Sequence, residues 1–276
     1  MKSLFLGLKR HPFRFLVSIF LAYSAFWTIV ESVSFFNPNL GLQGFKYHMF
    51  IVGISVIVGI YQIYQPKKIS IEINTSDTVL NIYYGDIFKQ KGYIAIAVNE
   101  YFDSELGDPV SENSLHGMLI KQFFGGHPES FDRAVDEDLD GINYNEISRD
   151  RGKEKKYPIG TTARISANTN NFLLFAQSHT NIDTFKAYSD LSTMVISLSG
   201  LFDKARNSTG GEPLVLPLVG SGISGVGLPA TQIVQLIVLT IIDETKKRQI
   251  CKQVDLVLHE SRFDEIDLEL IKRQWS

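Results

Sequence analysis

The stretch LPLVGSGISGVGLPA, residues 216–230, combines an apolar strand, a loop with four glycines and a helix that Pro229 would open. Glycine lets the backbone take positive φ and approach a ligand closely, and the amides before a helix N-terminus attract phosphate oxygens. The spacing differs from the GxGxxG dinucleotide fingerprint, and no lysine follows as in a P-loop. The pattern predicts a phosphate-binding loop, although a glycine-rich turn that merely connects two elements is the alternative. The candidate ligand-binding residues of the loop are Gly220, Ser221, Gly222, Ile223, Ser224 and Gly225.

A second stretch, residues 81–103, joins a strand that ends near Asp86 and Ile87 to a buried strand that ends at Asn99. Ligands of parallel sheets collect outside the carboxyl ends of the strands, so we expect these residues to meet the glycine loop there. An aspartate can accept a hydrogen bond from an adenine amine, and an asparagine can bind ribose hydroxyls. Both motifs place candidate ligand-binding residues at the carboxyl end of a strand, which favours a nucleotide site over a simple turn.

The surrounding sequence predicts an α/β fold, because short apolar runs alternate with helical stretches from Lys68 onward. The predicted strands are 68–74, 78–87, 92–99, 172–179, 213–219 and 251–260. The predicted helices are 114–124, 184–204 and 229–248, followed by a short surface helix at the C-terminus. Residues 125–160 carry clustered acids without a clear period, which predicts a functional lid or a flexible insertion.

Two long apolar stretches, at about 15–36 and 47–64, precede this domain. Each has close to the roughly 20 apolar residues that cross a hydrocarbon core of about 30 Å. A signal peptide is the alternative for the first stretch, but its hydrophobicity continues past the weak cleavage-like triplet at 22–24 and a second stretch follows. The sequence therefore predicts a two-helix transmembrane hairpin within residues 1–66 and a soluble domain in residues 67–276.

Charge is distributed unevenly between the two parts of the chain. Residues 1–68 contain seven Lys and Arg and a single acid, Glu31, whereas the rest contains 20 basic and 29 acidic residues. Because six of the seven basic residues lie outside the two ends of the hairpin and only Lys46 lies in the connecting loop, the positive-inside rule predicts a multi-pass protein of the cell inner membrane with both termini cytoplasmic. The acidic domain argues against nucleic acid as a partner, which requires a basic face.

Few other residues suggest chemistry. Cys251, the single cysteine, begins a strand-like run and is predicted to be a buried, inert thiol rather than a nucleophile. The histidines lack metal-ligand spacing, and no serine has a GxSxG nucleophile elbow, so we predict neither a metal nor a catalytic residue. His116, beside the predicted diphosphate region, is the histidine most relevant to the site.

The order of the motifs GDI (85–87), AIAVN (95–99), GTTARI (160–165), a strand ending at His179 and LPLVGSGISGVG (216–227) resembles that of the macrodomain superfamily. The resemblance covers about 78–260 and implies a macro-like mixed sheet flanked by helices. It implies that Asp86 would contact adenine and that Asn99 would contact the distal ribose side. Ile87, directly after Asp86, is a further candidate ligand-binding residue. Residues 108–117, which include His116 and Gly117, would form one half of the diphosphate site, and 221–225 the other half.

The two preceding helices make the chain similar to the membrane-bound macro-domain effectors of Thoeris anti-phage systems. This resemblance implies a homo-oligomer that acts on the lipid bilayer in response to an ADP-ribose derivative. The ligand would be a histidine conjugate of ADP-ribose made by a TIR-domain protein, without stable contact between the two proteins.

The sequence departs from the ADP-ribosyl hydrolases of the superfamily after the buried strand. Those enzymes carry VNAAN, whereas residues 98–102 read VNEYF and the glycine-rich loop expected next is replaced by LGDPVSENSLHG. We therefore expect binding without turnover and no cofactor. A membrane-tethered ADP-ribosyl hydrolase and a passive reader of ADP-ribosylated proteins are the alternatives.

Overall fold

The computed structural model describes residues 2–42, 44–74, 76–222 and 225–275. The chain divides into two compact units, Met1–Lys67 and Lys68–Ser276.

The first unit is helical. Its helices are α1 (Lys2–Arg10), α2 (Pro12–Phe36) and α3 (Phe45–Ile63). By length and composition, α2 and α3 are long and apolar enough to cross a membrane. Every residue of α2 is described and none of them is fully buried, and large apolar side chains such as Phe13, Phe20 and Phe36 are exposed.

Close packing and a few polar contacts join α2 to α3. A Cβ at Gly59 would lie 2.6 Å from Ile19 Cγ1, so the absence of a side chain there lets the helices approach. Arg14 Nη2 donates to Gln62 Oε1 at 3.0 Å near one end of the pair. The two helices thus form the hairpin that the apolar stretches predict, each beginning two or three residues earlier than expected.

The second unit contains a mixed sheet. Its strands are β1 (Lys68–Glu72), β2 (Val79–Tyr84), β3 (Tyr93–Asn99), β4 (Asn145–Glu146), β5 (Lys155–Lys156), β6 (Thr162–Ala167), β7 (Asn170–Thr180), β8 (Ala187–Tyr188), β9 (Leu214–Pro217) and β10 (Gln253–Leu258). The order across the main sheet is β1-β2-β10-β9-β3-β7-β6, and β8 pairs with β7. The strands β2, β10, β9, β3 and β7 are parallel, whereas β1 and β6 are antiparallel to their neighbours. The predicted macro-like mixed sheet is confirmed.

Helices cover both faces of this sheet. They are α4 (Leu115–Phe123), α5 (Pro128–Asp138), α6 (Leu191–Ser208), α7 (Ala230–Lys247) and α8 (Leu268–Trp275). One hydrophobic cluster packs α6, α7 and α8 on one face, and a second packs α4 and α5 on the other. β3 is buried on both faces because its side chains alternate between the clusters, as with Ala95 in the first and Ile96 in the second.

Three regions differ from the sequence prediction. The helix predicted from residue 184 begins at Leu191, because Asn181 Oδ1 accepts from the amides of Asp183 and Thr184 and folds a turn before β8. The GTTARI motif, predicted as a turn, is mostly strand, because its residues from Thr162 onward belong to β6, which pairs with β7. The stretch 125–160 contains α5 and the β4–β5 hairpin, and Phe131 of α5 is fully buried.

A buried ion pair holds the second part of this stretch against the turn after β3. Arg149 Nη1 lies 3.1 Å from Asp103 Oδ2, and both side chains are fully enclosed. The guanidinium stacks 3.9 Å from the ring centroid of Tyr101, and the Lys153 amide donates to Asp103 Oδ1 at 2.7 Å. Burial raises the pKa of the Asp103 carboxyl, although this amide and Arg149 oppose the rise.

Replacing Arg149 by Met should lower the unfolding free energy of residues 68–276 by about 3–5 kcal/mol, because Asp103 would be left buried without its cation. The matched control is Arg151→Met, since Arg151 pairs with Glu105 where both side chains are about half exposed. It should cost less than about 1 kcal/mol. Urea denaturation measures both values, and equal losses in the two variants would contradict this account of the pair.

Candidate functional site

Five parallel strands bring their carboxyl ends to one edge of the sheet. The loop 218–229 follows β9, Asp86 follows β2, and Asn99 is the last residue of β3. His179 lies near the end of β7, next to β3. The edge thus gathers both stretches in which the sequence predicts ligand-binding residues, which is where ligands bind in sheets of this kind.

The loop after β9 is closed by its own backbone. The Val226 amide donates to the Gly220 carbonyl at 2.9 Å, and Gly220 has a φ of 77°. A Cβ at Gly220 would also lie 2.9 Å from Met194 Sδ on α6. Glycine is required here both by the left-handed backbone and by the close approach of α6.

Gly222 and Gly225 lie on the open side of the loop, and both are exposed. No described atom outside its immediate chain neighbours lies within 4 Å of a Cβ built on Gly222. A Cβ on Gly225 would come within 2.7 Å of the Gly222 carbonyl oxygen, so these two glycines keep the turn narrow. Among the described residues nothing fills the space above Gly222, so a ligand can enter the loop there.

Ser221 shapes the start of the turn rather than its open side. Its Oγ donates to the Leu218 carbonyl at 3.0 Å, and its own carbonyl accepts from Arg262 Nη2 at 3.3 Å. Ile223 and Ser224, also predicted to bind ligand, lie outside the described residues.

The helix α7 begins directly after this loop. Its N-cap is Pro229, whose side chain has no hydrogen-bond acceptor for the first-turn amides. An 18-residue helix carries partial positive charge at its N-terminus, and amides in the first turn are available to an anion. The glycine loop and the N-terminus of α7 together suit a diphosphate. The missing side chain at Gly222 leaves space for it.

Asp86 and Ile87 lie at the neighbouring strand end. Asp86 is exposed, and its Oδ1 accepts from the Phe88 amide at 3.1 Å while Lys89 Nζ lies 3.4 Å from Oδ2. The carboxylate therefore caps a short 3-10 turn and still faces solvent, where it can accept from an amine. The side chain of Ile87 is buried, so only its backbone can reach a ligand.

The side chain of Asn99 holds the turn that follows β3. Its Oδ1 accepts from the amides of Tyr101 and Asp103, both at 3.2 Å, and its Nδ2 donates to Asp103 Oδ2 at 2.8 Å. The amide group thus has one further N–H to offer. Asn99 positions the backbone of this turn beside the predicted ribose position.

His116 and Gly117 lie inside the domain, at the start of α4. The His116 ring packs 5.4 Å from that of Phe131, and its Nε2 has no hydrogen-bond partner among the described residues. Burial, and then the charge of Lys153, lowers the pKa of His116 to about 3, so the ring is neutral at physiological pH. A Cβ on Gly117 would lie 2.3 Å from the Ser111 carbonyl oxygen. These positions favour packing roles over the predicted contacts with a diphosphate.

Sequence reasoning missed a buried carboxylate at the same edge. Glu100 is 2% exposed, and its Oε2 lies 2.8 Å from His179 Nδ1. Its Oε1 accepts from the Thr180 amide at 3.3 Å and lies 3.4 Å from Lys156 Nζ. The one sequence signal is an acid that follows the apolar strand β3 and its last residue, Asn99. Its partners could not be predicted, because they come from stretches 56 to 80 residues away.

A separate groove of about 540 Å³ runs along α7 and α8. Leucines, glutamines and Trp275 line it, and none of its described lining side chains is charged. None of its described lining side chains is cationic, so the sheet edge is the better candidate for a diphosphate-containing nucleotide.

Comparisons with known proteins identify the family of this domain. Residues 80–259 match the family model described as Thoeris protein ThsA, Macro domain. The Thoeris protein ThsA of Bacillus amyloliquefaciens (strain Y2) is 26% identical over 215 residues, covering 74% of this chain and 70% of that protein.

Solved macrodomains from Oceanobacillus iheyensis resemble the chain in structure. A mutant with ADPR has a TM-score of 0.50 at 15% identity, covering 75% of this chain and 98% of that one. The structure with ADP has a TM-score of 0.49 at 16% identity, with 75% and 96% covered. The first of these indicates a shared fold. Since the family model matches well over half of the residues, the chain belongs to the Thoeris ThsA macro-domain family.

Proposed function

We propose that this protein is a membrane effector of anti-phage defence whose macro domain binds an ADP-ribose-type nucleotide signal and then disrupts the membrane through α2 and α3. The observation that carries the proposal is the open glycine loop at Gly222, directly before the N-terminus of α7. Membership of the Thoeris family supports the role in defence.

The sheet edge offers a separate group to each part of such a nucleotide. Loop 218–229 and the first turn of α7 would hold the diphosphate, because their amides are donors next to a positive helix end. The Asp86 carboxylate would accept from the adenine amine, and the turn that Asn99 holds would border the distal ribose.

The proposed signal is a histidine conjugate of ADP-ribose made by a TIR-domain protein that does not bind stably to this chain. The resemblance to the two-helix Thoeris effectors suggests this signal. A ligand can switch the effector only if it binds one arrangement of the assembly more tightly than another. We therefore propose a homo-oligomer whose rearrangement couples the nucleotide to the helices.

We propose that the domain binds the nucleotide without hydrolysing it and uses no cofactor. Phe102 stands where hydrolases of the superfamily have the second Asn of VNAAN, and its side chain is fully buried. That position thus offers a ligand no side-chain amide. Turnover of ADP-ribosylated substrate by purified protein would instead indicate a tethered hydrolase. Preference for conjugated protein over free nucleotide would indicate a passive reader.

The helices α2 and α3 are proposed to cross the inner membrane with both chain ends in the cytoplasm. Basic residues precede α2 and follow α3, at Lys9, Arg10, Lys67 and Lys68. The positive-inside rule places such residues on the cytoplasmic side.

ADP-ribose should stabilise the domain, by about 2.7 kcal/mol at 100 times its Kd. Gly222→Glu should abolish binding, because a carboxylate would enter the space for the diphosphate. Gly222→Ala is the matched control and should fold and bind almost as the wild type does, since open space surrounds this position. Isothermal titration measures the affinities.

Asp86→Ala should weaken binding of ADP-ribose about tenfold or more, because a charged hydrogen bond to the adenine amine would be lost.

Two outcomes would contradict this site assignment. Tight binding by Gly222→Glu would place the nucleotide elsewhere. An equal loss in Gly222→Ala would show that the loop conformation, and not the charge, decides the result.

The action of the helices is testable in vesicles that contain the full-length protein. Adding the histidine conjugate should cause dye leakage if α2 and α3 disrupt the membrane. Replacing residues 1–66 with an unrelated two-helix anchor should abolish leakage and leave nucleotide affinity unchanged.

Protease protection in the same vesicles reports whether both chain ends lie on the same side of the membrane.

Leakage with the unrelated anchor would mean that the helices only localise the domain. Binding without leakage in either protein would contradict membrane disruption.

A further inference from the structure

The hairpin of α2 and α3 carries one acid and one base near its connecting loop, Glu31 and Lys46. Glu31 lies five residues before the end of α2, and Lys46 is the second residue of α3. Both residues are exposed, and neither side chain has a hydrogen-bond or ion-pair partner among the described residues. Two opposite charges therefore lie at the same end of the hairpin without pairing with each other.

Contacts between the helices fix the relative depth of the two charges. Tyr23 Oη lies 3.2 Å from His48 Nδ1, and the ring centroids of Trp27 and His48 are 5.9 Å apart. At about 1.5 Å of rise per residue, Lys46 lies about 3 Å nearer the loop than His48. Glu31 likewise lies about 6 Å nearer the loop than Trp27. Helix side chains lean towards the N-terminus, so Glu31 leans away from the loop and Lys46 towards it, which brings the two charges to similar depth.

The same contacts explain why the two charges do not meet within one chain. His48 faces α2, and each residue of an α-helix turns the side-chain direction by about 100°. Lys46, two residues earlier, therefore lies about 200° round α3, on the side away from α2. Glu31 follows Trp27 by four residues and lies about 40° from it, on the exposed flank of α2 beside the α3 contact. This placement suits pairing between neighbouring copies.

The outer face of α3 has the pattern of a helix-packing surface. Residues on this face recur at spacings of three or four and share one side of the helix: Lys46, Phe50, Gly53, Ile57 and Tyr61. The three large apolar side chains among them are 65% to 80% exposed. No described atom outside α3 lies within 4 Å of a Cβ built on Gly53, and a small residue there lets a second helix approach closely. The outer face of α3 thus offers an apolar surface with Lys46 at its loop end.

The flank of α2 that carries Glu31 is polar in the half nearer the loop. Thr28 Oγ1 donates to the Ser24 carbonyl and Ser32 Oγ donates to the Thr28 carbonyl, both at 2.8 Å. These hydroxyls are satisfied within their own helix and need no further partner in lipid. An acid in a membrane helix is different, because it normally faces protein or water rather than lipid. Glu31 is thus the group on this flank that needs a partner.

We propose that Glu31 of one copy pairs with Lys46 of the next, with α2 of the first copy packed on the outer face of α3 of the second. The inference rests on the proposed function, since it requires both helices to lie in the membrane. The partner is a second copy of this chain, because each copy supplies both charges at similar depth and lipid tails supply neither. Because the two surfaces differ, the contact is head-to-tail, and it closes into a ring when the rotation between copies permits.

The first test measures assembly of the full-length protein in detergent by native mass spectrometry, with and without the histidine conjugate of ADP-ribose. Glu31→Gln and Lys46→Gln should each weaken association about 5- to 30-fold, the size of a polar contact between membrane helices. The double variant should lose no more than either single variant, because one change already breaks the pair. Affinity for the conjugate, measured by isothermal titration, should be similar in the monomeric forms of all variants.

Charge reversal distinguishes pairing between copies from pairing within one chain. Glu31→Lys leaves two bases and Lys46→Glu leaves two acids, so neither variant should assemble alone. Co-expression of the two variants should restore assembly, because each base then faces an acid on the neighbouring copy. Pairing within one chain cannot be restored in this way. Protease protection checks that the reversed variants insert with their chain ends on the same side as in the wild type.

Two further positions provide matched controls. Thr28→Val removes a hydroxyl from the same flank of α2, but its hydrogen bond is made within the helix. Lys9→Gln removes the same charge as Lys46→Gln, but before α2, at the opposite end of the hairpin. Neither change should alter association.

Each contrary outcome has a distinct meaning. Unchanged association in both glutamine variants overturns the inference and leaves the proposed function standing, because Glu31 then faces water or headgroups. Losses of the same size in Thr28→Val or Lys9→Gln, or no recovery on co-expression, also overturn it. A wild type that binds the conjugate but stays monomeric refutes the proposed homo-oligomer together with this inference. A wild type that assembles but does not bind the conjugate refutes the proposed signal and leaves the pairing to be decided by the variants.

Discussion

Parallel hydrogen bonding of β3 to β9 on one side and to β7 on the other brings three loops to the same edge of the sheet. A parallel sheet must be covered on both faces, and here two apolar clusters do this. The faces are then unavailable to a polar ligand, whereas the carboxyl edge has free amides and polar side chains. The position of the candidate site follows from how the strands pair, before any individual ligand contact is considered.

Buried charge determines the shape of that edge after β3. In place of the glycine-rich loop that the resemblance to the hydrolases implies, this chain has a turn whose Asp103 is neutralised by Arg149 and whose Glu100 is held by Lys156 and His179. Removing charges from water is costly, so such pairs persist only where geometry and further hydrogen bonds compensate. The consequence is that the turn after β3 is held in place at the same sheet edge as the open glycine loop.

Local sequence was sufficient for the features that depend on neighbouring residues. The glycine loop, the apolar strands β3 and β9 and the hairpin helices could be predicted because their signals are spacing and uninterrupted hydrophobicity. Features that depend on residues far away in the chain could not be predicted from the sequence. Nothing near Glu100 indicates His179, and His116 is an ordinary polar residue in sequence until α5 places Phe131 against its ring. The start of α6 was misplaced because an Asx turn at Asn181 competes with a helix that composition alone would extend.

Hydrogen–deuterium exchange of the full-length protein, with and without ADP-ribose, tests most directly whether the carboxyl edge is where the nucleotide binds. Slower exchange is expected in the amides of 219–228 and of the turn 100–104, since a bound diphosphate and ribose would occupy or cover them. Exchange in the groove along α7 and α8 should not change. Protection confined to that groove, or unchanged exchange at the edge under conditions in which the nucleotide binds, would contradict the assignment.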